Sequence, residues 1–216
     1  MKKLSNFYQI SQISEELKDR LRKLRLIKLS DGRFDVLGDV DFSLLDLRSL
    51  LEIPIRIRRV TGNFSCRDNQ LTSLNGAPEQ VDGSFYCYNN NLTTLEGAPE
   101  RVYRDFDCGY NQLISLNGAP KFVGGDFYCC YNQLTSLKGA PKYVGGNFRC
   151  YSNQLTTLEG APERVDGNFY CFNNQLTSLE GAPKYVGGNF DCSPNPKHFT
   201  EEEVRKLVDV KGKVIV

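Results

Sequence analysis

Tryptophan is absent from the 216 residues, methionine stands only at position 1, and the single histidine is His198. With one histidine, a two-histidine zinc helix cannot be assembled, and a Ser-His-Asp relay would have to form at the degenerate end of the chain. No Gly-rich phosphate loop is present, and the Asp and Glu residues follow regular columns rather than converging on one cleft. The expectation is a chain that is not an enzyme and needs neither cofactor nor catalytic metal. A formal net charge of +1 gives no strong field toward nucleic acid or an anionic membrane. No apolar run approaches the roughly 20 residues of a membrane span. The opening MKKLSNFYQISQISEEL starts basic but lacks a long apolar stretch, so it does not read as a secretory leader.

What the chain has instead is a repeat. Phe64, Phe85, Phe106, Phe127, Phe148, Phe169 and Phe190 stand 21 residues apart. The same period of 21 carries a cysteine column from Cys66 to Cys192, an asparagine column from Asn69 to Asn195, and Leu, Pro and Val columns between them. The unit is F-x-C-x-x-N-x-L-x-x-L-x-G-A-P-x-x-V-x-G-x. A period this regular signals one supersecondary unit stacked on itself. One unit cannot stand alone: its few apolar side chains contribute roughly 1.5–3 kcal/mol each, against an ordering cost on the order of 30 kcal/mol for such a length. Hydrogen bonds and contacts from neighbouring units must close that gap.

In F-x-C the alternation is that of a strand, with Phe and Cys inward and the residue between them outward. Proline in G-A-P excludes a helix interior or a central strand there, so that arc is expected to be extended or polyproline-like. Gly62, Gly83, Gly125, Gly146, Gly167 and Gly188 precede the strands, with Arg104 as the one replacement.

F-x-C-x-x-N-x-L-x-x-L resembles the leucine-rich-repeat core L-x-L-x-x-N-x-L-x-x-L, with Phe and Cys in place of the strand leucines. The 21-residue length and the proline resemble the short bacterial class, and the wording LTSLEGAPKYVGGNFYC resembles repeat proteins of bacteria and bacteriophages. The resemblance covers roughly residues 60 to 195. It implies a right-handed solenoid with one parallel sheet on a concave side, and says little about activity. The chain divides into an N-terminal cap at 1–60, repeats at 61–195 and a C-terminal cap at 196–216. In the first cap, Ser14 opens a helix bearing Leu17, Leu21 and Leu24. A hairpin turns at Asp31-Gly32, and one or two degenerate units follow. In the second, Thr200 to Glu203 form a capping box for a helix holding Val204, Leu207 and Val208, before a final strand in GKVIV.

Seven cysteines form one column and Cys130 stands outside it. The favoured reading makes the column a row of small inward hydrophobes. Disulfides between rungs, and zinc or iron–sulfur ligation, are alternatives. A seven-membered column cannot pair completely, and ligands 21 residues apart do not converge. Reduced thiols favour the cytoplasm, here of a bacterial or phage-infected cell on the resemblance. Cys130, next to Cys129, points the other way and is expected to be partly exposed. The asparagine column is read as satisfying turn backbone rather than as a ligand site. The mixed column of Asn63, Ser84, Asp105, Asp126, Asn147, Asn168 and Asn189 has the wrong period for calcium repeats. The sequons at Asn63 and Asn91 are expected to lie within the packed repeat.

The outward positions vary most. Flanking each strand cysteine, three rows hold seven of the eleven tyrosines. Tyr86, Tyr88, Asp107, Tyr110, Tyr128, Tyr131, Arg149, Tyr151, Tyr170 and Phe172 form a candidate surface for a protein partner, since tyrosine couples large apolar contact to a hydrogen-bonding tip. The competing reading is that the aromatics only stack across rungs. Two other functions stay open: a structural, virion-associated or self-assembling repeat protein, and RNA binding by Lys18, Arg20, Arg22, Lys23, Arg25 and Lys28, then Arg56, Arg58 and Arg59. For the latter, interleaved aromatics are missing, and a solvated face is preferred.

Overall fold

The computed structural model describes residues 13–216; the reading of the first twelve residues as lacking a leader lies outside them. Helix α1 (Glu15–Arg22) is followed by an antiparallel hairpin of β1 (Arg25–Lys28) and β2 (Phe34–Leu37). A β-solenoid then runs to the end of the chain. Each full turn gives one short strand to each of two parallel sheets. One ladder comprises β3 (Val40–Asp41), β5 (Phe64–Ser65), β7 (Phe85–Tyr86), β9 (Phe106–Asp107), β11 (Phe127–Tyr128), β13 (Phe148–Arg149), β15 (Phe169–Tyr170) and β17 (Phe190–Asp191). The other continues the hairpin through β4 (Ile57–Val60), β6 (Gln80–Val81), β8 (Arg101–Val102), β10 (Phe122–Val123), β12 (Tyr143–Val144), β14 (Arg164–Val165) and β16 (Tyr185–Val186). After helix α2 (Glu201–Leu207), β18 (Asp209–Val210) and β19 (Val214–Ile215) add the last strand of each sheet, for ten and nine strands. The valine column thus makes a second sheet that the sequence pattern did not single out; G-A-P itself lies in the turns between. Among the described residues, no helix is long and apolar enough to cross a membrane.

Register is one residue to its equivalent, Phe127 to Phe148 and Val144 to Val165. The phenylalanines therefore stack inside, with ring centroids 5.2–5.6 Å apart from Phe64 to Phe190. The first rung departs: Val40 pairs with Phe64, which leaves Phe42 at the cysteine position, and its ring meets Phe64 edge-on at 78°. The column cysteines are buried beside the rings and unbridged. Cys87 Sγ lies 3.3 Å from the Asp107 carbonyl of the next rung, and Cys108, Cys129 and Cys150 repeat the contact. A thiol there acts as a small hydrophobe with one weak donor.

The asparagines close each turn. Asn153 Nδ2 donates to the Cys129 and Cys150 carbonyls at 3.0 and 3.1 Å, while its Oδ1 accepts from Leu134 N at 3.0 Å. One amide thus joins two rungs at groups that neither sheet pairs. The mixed column forms a second ladder: Asp105 Oδ1 accepts from Asp126 N, Asp126 Oδ1 from Asn147 N and Asn147 Oδ1 from Asn168 N, at 2.7–2.9 Å. Any side chain with an acceptor oxygen serves, so the charge varies. The glycine before each phenylalanine is required by close approach: a Cβ on Gly83 would stand 2.6 Å from the Gly62 carbonyl oxygen. Where Arg104 replaces glycine, its bond to the Gly83 carbonyl is 3.2 Å, against 2.8–3.0 Å for the glycines in that column.

Both ends are plugged. Arg20 from α1 donates to the outward Asp41 carbonyl at 3.1 Å, and Arg205 from α2 donates to Val210 and Gly212 at 2.8 and 3.0 Å. These bonds blunt edges that another strand would otherwise extend. The Ser14 cap and the Thr200–Glu203 capping box form as expected. Two expectations fail here. Leu207 is exposed, whereas Val204, Val208 and Phe199 are buried. Asn91 is exposed on a turn rather than packed inside, because it occupies the solvated position that other rungs give to glutamine.

Asn153→Ala should lower unfolding stability by about 3 kcal/mol or more, since it strands two carbonyls and one N–H of buried backbone at about 1–3 kcal/mol each; urea titration followed by circular dichroism checks this. The seven column thiols should stay silent to a thiol-reactive dye in native buffer and all react in denaturant, because burial pushes their ionisation up, that of Cys192 to about 12.

Candidate functional site

The outward face of the nine-stranded ladder brings the candidate residues into three rows. The strand row reads Tyr86, Asp107, Tyr128, Arg149, Tyr170 across successive rungs. These side chains are half-buried, because each stands between its equivalents one rung away. The next row contains Tyr88, Gly109, Cys130, Tyr151 and Phe172, and the third Asn89, Tyr110, Tyr131, Ser152 and Asn173.

The third row is unusual in its backbone. Asp68, Asn89, Tyr110, Tyr131, Ser152 and Asn173 all have φ of 52–56°. Asp and Asn tolerate this left-handed region; a bulky aromatic there is an outlier. Tyr110 and Tyr131 nonetheless occupy it, 54% and 43% exposed, with ring centroids 4.3 Å apart. Stacking continues from Tyr131 edge-on to Tyr151 at 5.5 Å, then from Tyr151 to Phe172 at 4.6 Å. One continuous aromatic strip crosses four rungs.

Cys130 is a correction. It faces this side, as its place beside Cys129 requires, but it is 5% exposed rather than partly open. Burial raises the ionisation of both Cys130 and its neighbour Tyr151. Neighbouring tyrosines cover the short side chain.

Arg149 is held firmly. Its Nη1 lies 2.5 Å from Asp126 Oδ2, and its guanidinium sits between the rings of Tyr128 at 4.4 Å and Tyr170 at 5.5 Å. The Tyr128 hydroxyl donates to the same Asp126 oxygen at 2.9 Å, and burial followed by that acidic partner pushes its ionisation up to about 12. Asp126 thus belongs to the surface although the sequence pattern assigned it only to the mixed column. Its spacing of two residues from Tyr128, which puts both side chains on one strand face, was the signal.

Asp107 is the one acid between the tyrosines of the row, and Asp191 at the far end repeats its arrangement, accepting from Ser193 N at 3.1 Å. Asp107 Oδ1 accepts from Gly109 N at 2.9 Å, and among the described residues its carboxylate takes no other hydrogen bond. Burial, with Asp105 nearby, raises its ionisation to about 6, while the Gly109 N–H and Arg149 pull the other way. Cys87, Cys108, Cys129, Cys130 and Tyr110 are its other titratable neighbours.

The outward face of the ten-stranded sheet carries a second row that sequence reasoning missed, since that arc was expected to be extended or polyproline-like without strand pairing. Arg101 lies 5.2 Å from Phe122 and Arg164 4.0 Å from Tyr185, while Tyr143 in the same row is exposed. Among the described residues, no group of three or more His, Cys, Asp or Glu is placed to hold a metal ion. The chain matches no protein-family model, and no curated protein resembles it significantly.

Because folded Asp107 keeps its proton to a higher pH than unfolded aspartate, the folded state binds the extra proton between roughly pH 4 and about 6. Its contribution to stability therefore falls as the pH rises through that window and is level above it. Asp107→Asn keeps the acceptor for Gly109 and removes the charge. The variant should be about 2–3 kcal/mol more stable than the parent above pH 7 and lack that slope; denaturant titrations at low and neutral pH check both.

Proposed function

We propose that this chain is a non-enzymatic repeat module of leucine-rich-repeat type that binds a protein partner through the aromatic face of its nine-stranded sheet. The observation that carries the reading is Tyr110 and Tyr131: exposed aromatics in left-handed backbone. The conformation costs on the order of 1–2 kcal/mol per residue, and the other rungs from Asp68 to Asn173 place the smaller Asp, Asn or Ser there. The rings fill no part of the core. Stacking on each other recovers about 0.5–1.5 kcal/mol, less than the two conformations cost together, so a role outside folding accounts for them best. A rigid, flat array of phenols edged by Asp126, Asp107 and Arg149 has the composition of a protein-recognition surface. The bacterial or phage setting rests on the wording of the repeats alone.

Nothing specific favours the other readings. Lys18, Arg20 and Arg22 are paired with Glu15, Glu16, Asp41 and Asp19, which weakens an RNA surface there. The arginine plugs weigh against end-to-end assembly.

The double variant Tyr110→Asn/Tyr131→Asn installs the residue that Asn89 and Asn173 already use. It should unfold at the same or a higher temperature, and lose the partners that the parent captures in affinity purification from its native host. Unchanged capture by the folded variant would sink the proposal.

A further inference from the structure

The row Tyr86, Asp107, Tyr128, Arg149, Tyr170 contains one aromatic sandwich that is filled and one that is not. In the filled one, the Arg149 guanidinium lies between Tyr128 and Tyr170, with its charge met by Asp126. Tyrosines two rungs apart stand roughly 9.6 Å from each other, and a planar group needs about 3.5–4 Å to each ring. The same two-rung interval separates Tyr86 from Tyr128, but there the intervening residue is the short Asp107. Gly109, two residues on, adds no side chain beside it. The side chain in this interval is short and half-buried, and its carboxylate takes one hydrogen bond.

The molecule also shows what this carboxylate geometry accepts. Asp41 stands in the same row at the first rung, with its Oδ1 taking the Ser43 N–H at 2.9 Å as Asp107 takes that of Gly109. The free oxygen, Asp41 Oδ2, binds Arg20 Nη1 at 2.9 Å. So one internal arginine occupies the aspartate half of the arrangement and another the tyrosine half.

We infer that the interval between Tyr86 and Tyr128, floored by Asp107, is a receptor slot for a guanidinium, presented as an arginine side chain by the protein partner. The inference rests on the proposed binding function and names the chemistry at its centre. A flat cation is stacked by the two rings and forms a charge-assisted hydrogen bond to the free carboxylate oxygen. Lysine supplies the charge without the plane.

The test is an NMR titration of the isotope-labelled full chain near pH 7.5 with N-acetyl-arginine amide, and with its citrulline and lysine counterparts. The arginine compound should shift the Gly109 amide saturably and bind about tenfold more tightly than citrulline, the factor that about 1.4 kcal/mol from a charge-assisted bond provides. It should also bind more tightly than the lysine compound, and Asp107→Asn should reduce it to the citrulline level. Tyr86→Leu, which keeps the charge and removes a wall, should weaken it as well. No saturable shift at Gly109, equal binding of the lysine or citrulline compound, or undiminished binding by Asp107→Asn would overturn the inference. The two readings fail separately. Partner capture that needs Tyr110 and Tyr131 but ignores Asp107 removes the slot and keeps the binding face. Arginine binding at Asp107 with capture indifferent to the tyrosines does the reverse.

Discussion

The asparagine amide that spans two rungs is the interaction on which the rest of this solenoid depends. The strands are only two residues long through the regular array, too short to hold a turn in register by themselves. Between them the backbone bends inward toward the core, where unpaired carbonyls would cost about 1–3 kcal/mol each. An amide supplies both a donor and an acceptor on a short stem. Asn90, Asn111, Asn153 and Asn174 each use both, bonding the carbonyls of their own cysteine and the previous one. Once those bonds are made, equivalent residues must lie above each other, and every other column follows: phenyl on phenyl, thiol beside thiol, and phenol beside phenol outside.

This register explains why so much of the fold could be read from the chain. Phe64, Cys66, Asn69 and Leu71 announce the inside by their strict recurrence, because each inward position sees the same neighbours in every rung. Outward positions are not constrained in this way, so Tyr86, Asp107 and Arg149 were identifiable as surface candidates only by their variation. What escaped was information that recurrence does not carry. The valine ladder pairs through backbone, and the Val column gave no alternation to mark it as a strand. Cys130 is buried on a face where its column neighbour Tyr151 is a large ring, and its short side chain gave no sign of that cover. The left-handed third row could not be seen at Tyr110 and Tyr131, although Asp68, Asn89 and Asn173 carried the residue types that such backbone prefers.

The solenoid's geometry turns a one-dimensional sequence change into a two-dimensional surface pattern. Altering a single outward residue changes one cell of a grid with a rung spacing of about 4.8 Å, and the core is unaware of it. Substitution of Tyr by Asp in the strand row opens an interval between two rings; substitution by Arg fills it. The chain contains both at adjacent intervals, with Arg149 closing one sandwich and Asp107 leaving the other open.

The cost of that open interval is visible in the acid itself. Asp107 is half-buried, and its carboxyl is shifted to about 6 by burial that one N–H and a distant guanidinium do not offset. Asp126, similarly placed on the face, accepts from Asn147 and Tyr128 and pairs with Arg149, and its carboxyl lies below the ordinary aspartate range. Two acids on one rigid face therefore sit on opposite sides of the normal value, because Asp126 is deeply hydrogen-bonded by Asn147, Arg149 and Tyr128 while Asp107 has one N–H against its burial. A site that stays anionic at neutral pH while lacking its counter-charge is destabilised in isolation and gains most from a partner that supplies one. The same logic applies to Tyr110 and Tyr131, whose backbone conformation is unfavourable in the free protein. The face thus concentrates unmet interactions, an acid without a base and rings without cover, on the sheet whose other side is the most completely satisfied part of the molecule.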